Sequence, residues 1–125
     1  SFKDTFIDTA NQIYQSDEVK AKMKDSYGVQ SLKMFREEDK DIIGLKYSYN
    51  IKEVLSLTGD GYSNYDYNDL VSNLLITDYC STNLLNRIEE YGFKRTVNMY
   101  FYDDKGNFMD SRYMDDKVCA ELVNN

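Results

Sequence analysis

The sequence predicts an α+β domain: an antiparallel sheet with helices packed on one face, in the order α-β-β-α-β-β. Three observations carry that prediction. Ile43, Leu45, Tyr47, Tyr49 and Ile51 alternate without a break, the period-two signature of a strand with one buried face. Apolar residues recur at three- and four-residue spacing near the N-terminus and again between residues 67 and 79, as on amphipathic helices. The stretch DDKGN (103–107) lies between two apolar runs and has the polar, glycine-bearing content of a hairpin turn. Strand pairs joined by short turns favour antiparallel pairing beneath a layer of helices.

Taken in order, residues 2–25 read as helical. Phe2, Phe6, Ile7, Ala10, Ile13 and Tyr14 form one stripe, and Ser16-Asp17-Glu18 can cap a second set of turns carrying Val19 and Met23. Gly28 ends the helix. VQSLKMF (29–35) alternates weakly, with Leu32 and Met34 as its apolar face, and REEDKD (36–41) connects it to the strand over 43–51. KEVLSL (52–57) either extends that strand or begins another. TGDGYSNYDYND (58–69) has the composition of a loop.

From Tyr67 onward, Leu70, Val71, Leu74, Leu75 and Tyr79 return to helical spacing, and Cys80 ends that helix. Ser81 or Thr82 can cap a shorter helix carrying Leu84, Leu85 and Ile88, closed by Gly92. Phe93, Val97, Met99 and Phe101 alternate as a strand, and NFMDSRYM (107–114) returns after DDKG. No linker, repeat or low-complexity segment divides the 125 residues, which fit a single domain over 1–125.

Composition narrows the function. The net charge of −7, with both signs interspersed, argues against a nucleic-acid partner and weakly against anionic membrane surfaces. With no histidine, catalytic triads and most zinc sites are excluded. Frequent Tyr, Asn and Lys with no Pro or Trp point to an AT-rich bacterial or phage genome. From Ser1 onward there is no signal peptide, lipobox or apolar run near the ~20 residues of a membrane span. A membrane would be reached only through a lipid anchor or span outside this chain.

The two cysteines, Cys80 and Cys119, admit a disulfide closing a loop of about 40 residues, or two buried thiols in a reducing compartment. The disulfide, with an oxidising compartment, is the favoured reading. No histidine, CxxC or third cysteine is present to build a zinc site.

Metal and catalytic readings fail on spacing. Setting Gly106 at the sixth position of a calcium loop puts Phe101 first and Arg112 twelfth, where ligands are required. Asp60, Asn64, Asp66 and Asp69 supply donors in the 58–69 loop, a composition that solvated loops share. Glu89 and Glu90 are adjacent on a helix and diverge, while Asp103/Asp104 and Asp115/Asp116 sit in turns. No nucleophile is paired with a base. The expectation is therefore a chain with no catalytic residues, no metal and no cofactor.

Tyrosines carry the best sign of binding. Tyr62, Tyr65 and Tyr67 crowd one loop, and Tyr100, Tyr102 and Tyr113 sit on neighbouring strands, where they either cover the core edge or meet a partner.

The stretch DYCSTNLLNRIEEYGFKRTVNMYFYDDKGNFMDSRYMDDKVC, residues 78–119, has a helix ending in Cys, a short helix, a Gly, a strand, a hairpin and a closing Cys. In this it resembles the AspS-type (GspS-beta) pilotins of bacterial type II secretion. The Cys80-to-Gly92 spacing and the run into an alternating strand carry the resemblance. It implies an exported bacterial domain, periplasmic or tethered to the outer membrane as a lipoprotein, with a Cys80–Cys119 disulfide and no catalytic site. It further implies a protein or peptide partner, a short C-terminal segment of the secretin. The Tyr-rich 58–69 loop and the long first helix depart from the family pattern.

The leading functional expectation is thus a non-enzymatic domain that takes an amphipathic segment in an apolar groove between a helix and the sheet. Leu74, Leu84, Ile88, Val97 and Met99, with Tyr62, Tyr65 and Tyr67, are the candidate contacts, and most of the aliphatic five serve equally well as core. Two other classes compete. A periplasmic immunity or inhibitor protein would use the −7 charge against a basic toxin. A sensory ectodomain of a membrane regulator would hold a small apolar ligand beneath the Tyr-rich sheet.

Overall fold

A computed structural model of the chain describes residues 2–37, 42–56, 79–80, 90 and 92–123. Helices α1 (Phe2–Tyr14) and α2 (Asp17–Tyr27) lead into strands β1 (Val29–Arg36) and β2 (Ile42–Asn50). A short helix α3 (Ile51–Ser56) follows, then β3 (Lys94–Tyr102), β4 (Phe108–Met114) and α4 (Asp116–Val123). The loop expected over 58–69, and the helices expected over 67–79 and 81–92, lie outside the described residues except for Tyr79 and Cys80, which are helical, and positions 90 and 92.

The N-terminal helical region breaks where the sequence placed a new start. Ser16 Oγ donates to the Ile13 carbonyl at 2.7 Å, closing α1, and the Ser16 carbonyl accepts from Lys20 N–H at 3.0 Å, opening α2. The Ser16 side chain therefore ends one helix and does not cap the next. Gly28 stops α2 at φ 67, donating its N–H to the carbonyls of Lys24 and Met23. An added Cβ there would also press on Val54 of α3 at 3.0 Å, so the site needs glycine for conformation and for space.

The four strands form one sheet in the order β1-β2-β3-β4. Both turn-linked pairs, β1–β2 and β3–β4, are antiparallel, whereas β2 and β3 run parallel from Ile42↔Lys94 to Asn50↔Tyr102. The α+β class stands, and the sheet is mixed instead of antiparallel throughout. Short turns dictate the two hairpins, but the connection over 51–93 is long enough to return to the same end of the sheet, as a parallel pair requires.

Register sorts the side chains into two faces. Ile43, Leu45, Tyr47 and Tyr49 of β2 share one face with Leu32, Met34, Val97, Met99, Phe101 and Met114, and all are buried. Tyr49 stacks on Phe101 with centroids 5.2 Å apart, and Tyr47 meets Tyr79 edge-on at 4.7 Å. The Tyr49 and Tyr79 hydroxyls are hydrogen-bonded to each other, which places the helical turn 79–80 on the core. Ile7, Phe6 and Ala10 of α1 pack on the same cluster.

Two elements differ from expectation. The part of KEVLSL that is described, 52–56, belongs to helix α3 and neither extends β2 nor begins another strand. Asn50 Oδ1 accepts from Glu53 N–H at 3.1 Å, so Asn50-Ile51-Lys52-Glu53 acts as a helix start. Ile51 is buried, but from the first turn of this helix. A C-terminal helix, α4, was not foreseen. Asp115 caps it, with Oδ1 accepting from Val118 N–H at 2.8 Å, and Cys119 lies within it.

The DDKGN stretch is a turn. Asp103 Oδ1 accepts the N–H groups of Lys105 and Asn107 at 2.9 and 2.8 Å, and Gly106 has φ 82. Asp104 reaches further afield, accepting from Asn50 Nδ2 at 3.2 Å and pairing with Lys52 at 3.3 Å. The hairpin tip is thereby tied to the corner where β2 turns into α3.

Cys80 and Cys119 form a disulfide, 39 residues apart in sequence with Cα atoms 5.5 Å apart. It joins the helical turn over the core to α4, whose Val118 and Cys119 pack against the same core cluster.

Replacing both cysteines, Cys80→Ser with Cys119→Ser, is expected to lower stability by about 4 kcal/mol on the loop-entropy model. Urea denaturation without reductant measures this, and a loss below about 1 kcal/mol would show that the bridge constrains little. The turn has its own pH signature. The backbone N–H of Asn107, foremost among its partners, holds the Asp103 carboxyl below its ordinary value of 3.8. A lowered folded-state pKa contributes stability above the unfolded value, lost as pH falls through the folded one. Asp103→Asn should therefore be less stable than the parent near neutrality, with the gap closing below about pH 3.8. A gap that stays constant in urea midpoints from pH 7 to pH 2 would contradict this.

Candidate functional site

Strand β1 is one edge of the sheet, and an edge presents backbone donors and acceptors for a further strand or a covering element. Helix α1 covers part of it. Asn11 Nδ2 donates to the Met34 carbonyl at 2.8 Å, and Met34 N–H donates to Asn11 Oδ1 at 2.8 Å, so one side-chain amide stands in for a neighbouring strand. Two helical turns earlier, Asp4 pairs with Arg36 at 2.8 Å. Positions 4 and 11 lie on one stripe of α1, which fastens the helix along the Met34–Arg36 end.

The other end of β1 is different. A cleft of about 100 Å³ opens where α1 finishes and α2 turns back, lined by Tyr14, Val19, Met23, Val29, Gln30 and Leu32 among others. Val29 and Leu32 form its buried floor, with Val19 and Met23 half-buried on the α2 wall. The strand register shifts between Val29 and Ser31, a bulge at Gln30 that sets the strand apart from its pairing. Period-two alternation turns the Leu32 N–H and C=O to the same side as those of Met34.

The electrostatics are mild. Burial raises the Tyr14 hydroxyl pKa, and burial raises that of Tyr47 strongly, with the nearby Tyr14 adding to it. Both phenols stay neutral; Tyr14 lines the cleft, and Tyr47 is buried in the core. At about 100 Å³ the cleft takes one or two apolar side chains of a peptide, well short of the ~300 Å³ or more of a small-molecule pocket.

With this geometry in place, the fold can be set beside known ones. A pilotin from the type 2 secretion system of Vibrio vulnificus, EpsS, matches at a TM-score of 0.52 over 92% of this chain and 92% of that chain, with 12% sequence identity. The fold is similar to that of a type 2 secretion pilotin. No family model matches the chain, and no curated protein does. The likeness in fold covers 92% of the chain, well beyond the length of residues 78–119 that carried the resemblance in sequence.

The pilotin-like core accounts for several candidate residues. Val97 and Met99 are 1% and 0% exposed on β3 and lie in the core, the alternative the sequence left open for them. Leu74, Leu84, Ile88, Tyr62, Tyr65 and Tyr67 lie outside the described residues. Tyr100 and Tyr102 are half-buried and Tyr113 is exposed, all on the sheet face away from the core. The cleft residues escaped sequence reasoning because Val19, Met23 and Leu32 read as ordinary core positions. The available signal was the helix break at Ser16, which separates two apolar stripes over one strand.

Asn11→Ala should leave the Met34 N–H and C=O without their partner, at a cost of about 1–3 kcal/mol. Urea denaturation gives the loss, and amide exchange at Met34 should speed up more than at Leu45. Unchanged exchange at Met34 would show that the clamp does not hold the edge.

Proposed function

We propose that this chain is a non-enzymatic, exported bacterial binding domain of pilotin type, which holds a short amphipathic segment of a partner protein such as a secretin C-terminus. The observation that carries the reading is the cleft at the uncovered end of β1. There an edge strand, a bulge and two helices present apolar walls beside outward-facing backbone groups. Apolar side chains of the segment enter between α2 and β1, and its backbone meets Leu32 much as Asn11 meets Met34.

The pilotin-like fold supports the partner class, and the disulfide fits an oxidising compartment such as the periplasm. Among the described residues no helix is long and apolar enough to cross a membrane. In this reading any membrane attachment is through a lipid anchor or a span outside these residues.

Calorimetric titration with a synthetic secretin C-terminal peptide tests the proposal. Micromolar binding is expected, with Val19→Glu and Met23→Glu each weakening it by at least about tenfold while the circular dichroism spectrum is retained. No heat at high micromolar peptide would reject the pilotin role. Tight binding of a basic toxin would favour the immunity-protein class instead.

A further inference from the structure

The face of the sheet away from the core carries a feature that partner binding at the cleft does not use. Lys33 of β1 and Lys46 of β2 are direct cross-strand partners, both exposed. Like charges placed directly opposite destabilise a sheet. Among the described residues neither lysine has an ion pair, in a chain whose net charge is −7 and whose acids could have supplied one. Lys46 Nζ sits instead 4.8 Å from the Tyr100 ring. Two carboxylates of this face are engaged elsewhere: Glu37 accepts from Thr96 Oγ1 at 2.9 Å, one row away, and Asp115 is hydrogen-bonded to Tyr113 at the β4 end of the lysine row.

Register extends the pattern across the sheet. Lys33, Lys46, Asn98 and Tyr113 stand in one row, and Ser31, Ser48, Tyr100 and Ser111 in the next. Beside the second row lies an aromatic patch, where Phe108, 57% exposed, contacts Tyr100 and Tyr102 at 6.3 and 6.0 Å. The face is therefore a strip of hydroxyl and amide groups that donate and accept hydrogen bonds, with two cations at one side and rings at the other.

We propose that this face docks an acidic amphipathic helix of another protein, with two carboxylates seated over Lys33 and Lys46 and apolar side chains on Tyr100 and Phe108. Charge complementarity selects the occupant, because the lysines form a cationic spot on an acidic molecule and dictate the orientation of any acidic partner. A helix suits the face because it sets carboxylates three or four residues apart on one stripe, with ~5–6 Å between Cβ atoms, and carries apolar side chains on the neighbouring stripe. The opposed lysines beneath have Cβ atoms ~4.5–5.5 Å apart. A dense polyanion is excluded by the charge of the remaining surface.

The probe is an alanine-based helical peptide with glutamates four residues apart and leucines one turn away, titrated into isotope-labelled protein and followed by amide NMR. Its control has glutamines in place of the glutamates. Saturable shifts at Lys33, Lys46, Asn98 and Tyr100 are expected, weaker for the control by about three- to tenfold. Lys33→Glu should weaken glutamate-peptide binding by a similar factor while raising the melting temperature, since it replaces repulsion with attraction across the strands. Equal affinity for the two peptides, or shifts confined to the α1–α2 cleft, would overturn the proposal. So would shifts that track protein concentration alone, which would assign the face to a second copy, or a lower melting temperature for Lys33→Glu.

Discussion

The parallel pairing of β2 with β3 is the constraint on which the other contacts depend. Nine consecutive positions pair from Ile42↔Lys94 to Asn50↔Tyr102, and this alignment brings Leu45 beside Val97, Tyr47 beside Met99 and Tyr49 beside Phe101. A slip of one residue would turn one strand's apolar set away from the other's. The same register builds the opposite face, where Lys46 meets Asn98 and Ser48 meets Tyr100. A parallel pair also obliges the chain to cross over between residues 51 and 93, and the disulfide between Cys80 and Cys119 ties that crossover to α4.

Closing the edge of the sheet follows from that arrangement. With β2 and β3 in the middle, β1 is left outermost, and α1 answers with one amide and one carboxylate placed seven residues apart. The clamp reaches Met34 and Arg36 only, because α1 ends at Tyr14 and the chain reverses at Ser16. The cleft over Val29 and Leu32 is thus a consequence of helix length. At the far end of β2, Asn50 both starts α3 and holds Asp104, so the β3–β4 turn braces the point where the crossover begins.

Several misreadings have a common physical origin. Ile51 continues the alternation of β2, and periodicity alone therefore carries the strand one residue too far. Asn50 and Glu53 already have the helix-start spacing, and the local capping bond prevails over periodicity. Asp115 and Asp116 read as a solvated acidic turn, although an aspartate ahead of Val118 and Cys119 is also an N-cap. Val97 and Met99 stood as candidates for partner contact or for core, because apolar residues on a strand look alike whether covered by the protein or by a partner. Packing decides that, and at these positions it left them 1% and 0% exposed.

Local chemistry in the chain was enough to specify both N-terminal helical stretches, the stop at Gly28, the alternation of β2 and β3 and the DDKGN turn, and it favoured a disulfide between the two cysteines over two buried thiols. Each of these rests on neighbours within a few residues, or on there being a single possible partner. The direction of β3 against β2, the role of Asn11 at the β1 edge, the anchoring of Asp104 and the opposition of Lys33 to Lys46 join residues with no local relation. Periodicity states which face a side chain occupies and never which strand lies beside it. The cleft and the lysine pair therefore arose only when the sheet was assembled.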